Sequence, residues 1–203
     1  MKIAVIGATG KAGSRVVSEA LARGHDVTAV SRHPESLPAH PKLTAIRGDA
    51  DEPAALAKLL AGHDVVISAL RFVGSDARKL ISAVKQAGVK RYLVVGGAGS
   101  LEVAPGRALV DTPTFPEVAR PEAGKGREFL NILCGERELD WTFLSPSALF
   151  GPGERTGRFR LGGDQLLTSA DGKSHISMED YAIALLDEAE HPRHSRQRFT
   201  VGY

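Results

Sequence analysis

Ile3-Ala4-Val5-Ile6-Gly7-Ala8-Thr9-Gly10-Lys11-Ala12-Gly13 is a four-residue apolar run that breaks into three glycines spaced three apart. A short apolar run bounded by glycine reads as a buried strand, Ile3–Ile6. Beyond the glycines, Val16, Val17, Ala20 and Leu21 recur at helical spacing, so a helix is expected from about Ala12 to Arg23, stopped by Gly24. Glycines between a strand and a helix have a specific use. Gly7 permits the tight turn, Gly10 admits a pyrophosphate close to the backbone, and Gly13 lets the helix pack against the strand. The helix N-terminus then offers free N–H groups and the positive end of its dipole to the phosphates. Thr9, Lys11 and Ala12 complete this candidate cradle. The spacing is G-x-x-G-x-x-G, and a purely structural turn is the plain alternative. A mononucleotide P-loop is excluded: Lys11 is followed by Ala12 rather than Ser or Thr, and Val5 stands where that motif needs glycine.

The same rhythm continues along the chain. Val27–Val30, Leu43–Ile46, Val65–Ala69 and Tyr92–Val95 read as strands. Helices are expected from Pro53 to Leu60, with Asp51 as N-cap, and from Asp76 to Ala87. Two junctions, Gly24-His25-Asp26-Val27 and Gly62-His63-Asp64-Val65, echo each other as a helix stop feeding a strand. Repeated βα units call for a parallel sheet with right-handed crossovers. The expected fold is therefore α/β: a Rossmann-type, doubly wound parallel sheet with helices on both faces and a small C-terminal segment on the substrate side. Residues 96–126 are rich in Gly and Pro and read as a lid or binding loop. A helix at Gly126–Glu136, a strand at Trp141–Leu144, short strands at Phe159–Leu161 and Gln165–Ser169, and a last strand at Phe199–Val201 follow. Ser177-Met178-Glu179-Asp180 is a capping box opening a helix to about Glu190.

Composition sets the outer limits. The chain has 203 residues, 42% apolar and 25% charged, with 26 basic and 24 acidic residues. That suits one soluble domain, 1–203, on a prior of roughly 100–200 residues per domain. No basic run interleaved with aromatics points to nucleic acid, and no apolar run reaches membrane length. The first apolar run is too short for a signal peptide, so a cytoplasmic protein is expected. Cys134, the single cysteine, reads as a small core residue inside a helix, and Trp141 as core. The seven histidines lack metal-ligand spacing, so no metal site is expected. Nothing in the sequence fixes the oligomeric state.

Strand two ends Ser31-Arg32-His33, with no carboxylate before Glu35. An acid there would hydrogen-bond the ribose of NAD(H), whereas an arginine accommodates the 2′-phosphate of NADP(H). Arg32, helped by Ser31, favours NADP(H) over NAD(H), the alternative being a solvated surface charge. After strand three, Asp49 is placed either to accept from the adenine amino group or to cap the next helix, with Ala50 beside it. Ala69, Leu70 and Arg71 leave strand four beneath the adenosine ribose, and Gly96 and Gly97 leave strand five toward the nicotinamide side.

Taken in order, Gly7–Gly13, Ser31-Arg32, Gly48-Asp49-Ala50 and Ile67-Ser68-Ala69-Leu70 resemble the atypical short-chain dehydrogenase/reductases. Leu139–Pro146, Phe150–Gly157 and Ile176–Ala182 narrow the likeness to a bacterial NADH-flavin reductase group, similar to the biliverdin-IX-beta reductase and flavin reductase branch. The likeness runs the full length. It implies NAD(P)H-dependent reduction of a flavin, a quinone or a similar flat small-molecule acceptor. It also implies that Pro146 lies beside the nicotinamide, with Ser147 and Ala148 meeting its carboxamide; a plain strand exit is the alternative. None of Tyr92, Tyr181 and Tyr203 has a lysine four residues on, so the family's usual Tyr-x-x-x-Lys acid is missing. Lys125 lies near the place of the family lysine, and Ser100 (or Gly99) near that of a serine in the flavin reductase branch. Both are carried as catalytic candidates. A conjugated acceptor spreads the charge that hydride transfer delivers, so orientation can suffice without a strong acid. Leu101, Phe115, Phe150 and Arg155 are candidates to line the acceptor pocket. A non-catalytic NADP(H)-binding redox sensor meets the same pattern. A sugar-nucleotide epimerase does not, since it needs the missing Tyr/Lys pair.

Overall fold

The computed structural model describes residues 1–203. The elements run β1 (Lys2–Ile6), α1 (Lys11–Ala22), β2 (Asp26–Ser31), β3 (Leu43–Arg47), α2 (Pro53–Leu60), β4 (Val65–Ser68), α3 (Ala77–Gln86), β5 (Arg91–Val95), β6 (Glu102–Ala104), β7 (Arg107–Ala108), α4 (Arg120–Cys134), β8 (Asp140–Pro146), β9 (Leu149–Gly151), β10 (Arg160–Gly162), β11 (His175–Ser177), α5 (Met178–Glu190) and β12 (Gln197–Gly202). Eight strands form one sheet in the order β10-β12-β8-β5-β4-β1-β2-β3. Every pairing is parallel except the edge pair β10–β12. This is the doubly wound Rossmann-type α/β fold. Strand order reverses between β1 and β4, which opens a crevice at their C-terminal ends, directly beyond Ile6 and Ser68.

Both faces of the sheet are covered, so its strands are apolar on both sides. Ile3, Val5 and Leu93 face Val16, Val17 and Ala20 of α1 and Tyr181 and Leu185 of α5. Ala4, Ile6 and Tyr92 face Leu56 and Leu60 of α2, Leu80 and Val84 of α3, and Phe129 and Leu133 of α4. The two glycine-His-Asp junctions do matching work. Asp26 N–H donates to Met1 O, and Lys2 N–H donates to the Asp64 carboxylate, so each junction clamps the start of β1.

Four local expectations change. Helix α4 starts at Arg120, six residues before Gly126, because Pro121 occupies the first turn, where a missing N–H costs nothing. Asp51 does not cap α2; its N–H donates to Asp49 Oδ1 and its carboxylate pairs with Lys79 at 2.8 Å. Gln165–Ser169 is not a strand and makes only one bridge, Gln165 to Glu102. Cys134 is exposed at the last residue of α4, not a core residue. Trp141 is buried, and its Nε1–H donates to Glu136 O. No helix is long and apolar enough to cross a membrane.

Helix α4 also contains Gly124, where an added Cβ would meet nothing within 4 Å. Gly124→Ala is expected to raise stability by about 0.5–1 kcal/mol, because alanine has less backbone entropy to lose. A urea midpoint at or below that of the parent protein would contradict this.

Candidate functional site

The glycine turn lies at the mouth of the crevice. Gly7 has φ +80° and its N–H donates to Val30 O. A Cβ on Gly13 would fall 2.2 Å from Gly7 O, so the start of α1 rests directly on the turn. A Cβ on Gly10 would meet Gly7 O at 3.2 Å and little else, which leaves that side open to the crevice. The N–H groups of Lys11, Ala12 and Gly13 have no acceptor within the protein. Three free donors at the N-terminus of a twelve-residue helix, beside glycine backbone, fit a dinucleotide pyrophosphate.

At the end of β2, Arg32 is exposed and makes no ion pair. Ser31 departs from expectation as a free phosphate donor. It is buried, and its hydroxyl is bonded to Thr9 Oγ1 at 2.8 Å and accepts from His33 N–H. It therefore ties the glycine turn to the Arg32 segment, and the Arg32 guanidinium is left without a protein partner. Asp49 is exposed and accepts from Asp51 N–H, beside the partly buried Ala50. Ala69 N–H donates to Ile6 O, and its carbonyl passes under Gly7. Leu70 is half-buried against the α2–α3 side of the core. Arg71 is exposed and leans toward Glu122 at 3.6 Å.

Glu122, in the first turn of α4, is absent from the sequence reading. Its carboxylate accepts from Phe72 N–H at 2.7 Å and Val73 N–H at 3.0 Å, fixing the path of the chain after β4. Nothing local marks it, since Phe72 and Glu122 are 50 residues apart.

At the ends of β5 and β8 several expectations move. Gly96 is small for packing reasons: a Cβ there would lie 2.4 Å from the Phe143 ring and 2.6 Å from Leu144 O. Gly97 is freer, with Phe72 at 3.4 Å. Pro146 and Ser147 are buried, and Ser147 Oγ donates to Val201 O. Ala148 N–H donates to Ser174 Oγ, whereas Ser147 N–H has no acceptor. Ser147 has no exposed surface, so its amide is closed to a ligand as the structure stands. Ser100 Oγ is shut off from solvent without a hydrogen-bond partner. Lys125 points away from the sheet and pairs with Glu128 at 2.7 Å, both more than half exposed. Tyr181 is no acid either. It is fully buried, donates to Leu144 O at 2.6 Å, and burial pushes its phenol well above the usual range.

Of the four pocket candidates, Phe150 borders a cleft, with its ring centre 4.7 Å from that of Tyr181. Leu101 is fully buried and lines nothing. Phe115 lies under the Arg120 guanidinium, 5.7 Å from its ring centre. Arg155 makes a bidentate pair with the buried Glu19 on α1, with both contacts at 2.9 Å. It fastens the 151–158 loop to α1 and does not face an acceptor.

The capping box is half as expected. Ser177 Oγ accepts from Asp180 N–H, but the Asp180 carboxylate turns away and gathers the loop instead. It accepts from the N–H groups of Thr156 and Gly157 at 2.8 Å each, from the Thr156 hydroxyl, and from Tyr203 OH at 2.8 Å. Burial works against its charge, but these donors outweigh burial and hold the carboxyl below its ordinary value of 3.8. Stability from this carboxylate is present above about pH 3.8 and lost as pH falls through the lower folded value. Asp180→Asn is expected to lose about 2 kcal/mol at pH 7, the scale of charge-assisted hydrogen bonds. The deficit should shrink below pH 3.8. Urea midpoints from pH 7 to about pH 3 check this; a deficit constant with pH would refute the assignment.

Fold and site together define a Rossmann-type NAD(P)-binding protein. The family described as NAD(P)H-binding matches residues 7–192, and the chain belongs to that family. It fits the atypical short-chain dehydrogenase/reductases of the flavin reductase-like group. It is 42% identical to YwnB of Bacillus subtilis, itself uncharacterised, over 99% of this chain and 98% of that one. A Bacteroides thetaiotaomicron protein, named for a proposed epimerase activity, shares 46% identity over 100% of this chain and 96% of its own, with TM-score 0.95. SP1627 of Streptococcus pneumoniae, named for a proposed NADH-flavin reductase activity, shares 37% identity over 100% and 99%, with TM-score 0.86. The chain is an NAD(P)H oxidoreductase by fold and family.

Proposed function

We propose that this protein is an NADPH-dependent reductase that passes a hydride to a flavin, a quinone or another flat conjugated acceptor. The observation that carries the reading is the glycine turn with three unpartnered N–H groups, flanked by an unpaired Arg32. In this reading Lys11, Ala12 and Gly13 hold the pyrophosphate, and Arg32 grips the 2′-phosphate. Asp49 stands near the adenine; Ala69, Leu70 and Arg71 run beneath the ribose, and Gly97 faces the nicotinamide side. When bound, NADPH supplies the hydride, and one proton from water completes a two-electron reduction.

The protein's own part is orientation. No acidic side chain at the ends of β5 and β8 reaches the crevice: Tyr181 is bonded to Leu144 O, and the hydroxyls of Ser100 and Ser145 are shut off from solvent; Lys125, on α4, pairs with Glu128. That suits an acceptor whose conjugated ring spreads negative charge, held at about 3–3.5 Å from the donor carbon. It does not suit an epimerase, which needs an acid poised over its substrate.

The test is oxidation of NADPH and of NADH with FMN, FAD and a small quinone as acceptors. Turnover with NADPH preferred is expected. Tight NADPH binding with no turnover on any acceptor would overturn the reductase in favour of a binding-only redox sensor.

A further inference from the structure

A second cleft lies at the same edge of the sheet as the glycine turn. It has a volume of about 600 Å³ and is bordered by Phe150, Pro152, Glu154, His175, Ile176 and Tyr203. β9 forms its floor with β11, and begins three residues after Pro146. The 151–156 loop closes one side, held to α1 through Glu179. That carboxylate accepts from Gly153 N–H at 2.8 Å and from Arg15 at 3.0 Å. Arg15 stands two residues beyond Gly13, so one carboxylate connects the cradle helix to the cleft wall.

The cleft has apolar faces, and two side chains on it have no partner, the exposed Glu154 carboxylate and the His175 ring. The Phe150 ring packs on Tyr181, and the His175 ring lies 4.9 Å from that of Tyr203. Tyr203 OH bonds to Ser177 Oγ and Asp180, Ser177 Oγ donates to Glu154 O, and the Thr156 hydroxyl is held by Asp180. His175 differs. Its ring makes no hydrogen bond; Nδ1 is shut off from solvent, which leaves Nε2 as the nitrogen that solvent reaches. An unpartnered Nε2 on the wall of a cleft is free to pair with a bound molecule. No cation borders the cleft, and Glu154 stands on its rim. An anionic ligand is therefore disfavoured, and a phosphate group would meet no counter-charge.

We propose that this cleft binds the acceptor, that the acceptor is a neutral two-ring quinone rather than a phosphorylated flavin, and that His175 donates from Nε2 to one of its carbonyls. The proposal rests on the reductase reading above for its ligand class. A cleft of this size suits a molecule of two or three rings, which would lie between Phe150 and the His175–Tyr203 pair.

The test uses 2-methyl-1,4-naphthoquinone as probe, by equilibrium binding to the full chain, with FMN alongside. Gly151→Leu is the blocking variant: Gly151 borders the cleft and an added Cβ there meets nothing within 4 Å, so the side chain can enter without displacing backbone. It should weaken quinone binding more than tenfold. His175→Phe keeps the ring contact with Tyr203 and removes the nitrogens. It should weaken binding about three- to tenfold, the effect of one neutral hydrogen bond. NADPH affinity should be unchanged in both. Quinone binding that is absent, or indifferent to Gly151→Leu, overturns the cleft. FMN binding more tightly than the quinone, and lost in Gly151→Leu, overturns the neutral acceptor. The two readings fail separately. Quinone binding lost in Gly151→Leu without NADPH oxidation keeps the cleft and removes the reductase. Turnover with an unchanged KM in Gly151→Leu keeps the reductase and removes the cleft.

Discussion

In Arg32→Ala, NADPH affinity should fall about 10- to 100-fold while NADH affinity stays within about twofold. The magnitude follows from losing a guanidinium–phosphate interaction, at about 1.5–3 kcal/mol for hydrogen bonds to a charged group. The selectivity follows from position. Arg32 caps the end of β2, one strand from the glycine turn, and forms no ion pair that the substitution would break. Its loss should cost the fold little, so thermal unfolding without cofactor should be unchanged. The NADPH preference of the parent protein should also narrow with added salt, because an exposed charge pair is screened within about 10 Å at 0.1 M. Arg32→Glu should go further and favour NADH, since a carboxylate there can bond the ribose 2′-hydroxyl and repels a phosphate. Titration of each variant with both nucleotides, followed by nicotinamide fluorescence, measures all of this. An equal loss for NADPH and NADH would remove Arg32 as the specificity residue.

Gly13→Ala should be the most damaging small substitution in the chain. The new methyl would lie 2.2 Å from Gly7 O and 3.1 Å from Ala8 Cα. Both are backbone atoms of the turn, so no side chain can swing aside. Helix α1 must lift off β1, at a cost of about 3 kcal/mol or more, the upper range for overpacking. The same movement shifts the N–H groups of Lys11, Ala12 and Gly13, so NADPH binding should fall more than 100-fold. Urea unfolding gives the stability and nucleotide titration gives the affinity. A parent-like urea midpoint would show that α1 does not rest on the turn as described.

The first two-thirds of the fold is legible in the sequence because its signals are local. Each strand is a short apolar run, and each glycine stop falls where a helix must end before the next strand. The glycine turn combines three short-range requirements within seven residues, so its structure can be read without neighbours. The final third is less legible because its partners are remote. β9 pairs with β11 across more than 20 residues, and the Asp180 carboxylate is occupied by Thr156, Gly157 and Tyr203. A capping-box pattern predicts the Ser177 half of that arrangement and says nothing about the rest.

Three sequence expectations show how packing reassigns a residue without altering its neighbourhood. Ser31 reaches the expected place, yet its hydroxyl is taken by Thr9 and His33. Gly96 is small as expected, but Phe143 and Leu144 require it. Arg155 lies in the expected loop, but Glu19, 136 residues earlier, holds its guanidinium. His175 carries no sequence signal, since a lone histidine before a capping box has no informative spacing.

By itself, then, the sequence determined the parallel sheet, the glycine turn that opens α1 and the arginine that follows β2, because strand alternation, helix stops and glycine geometry act within a few residues. The tertiary structure alone decided which polar groups remain free. Hydrogen bonds between residues far apart in the chain occupy Ser31, Arg155, Asp180 and Tyr181, and leave Arg32, the amides of Lys11 to Gly13 and the His175 ring unpaired.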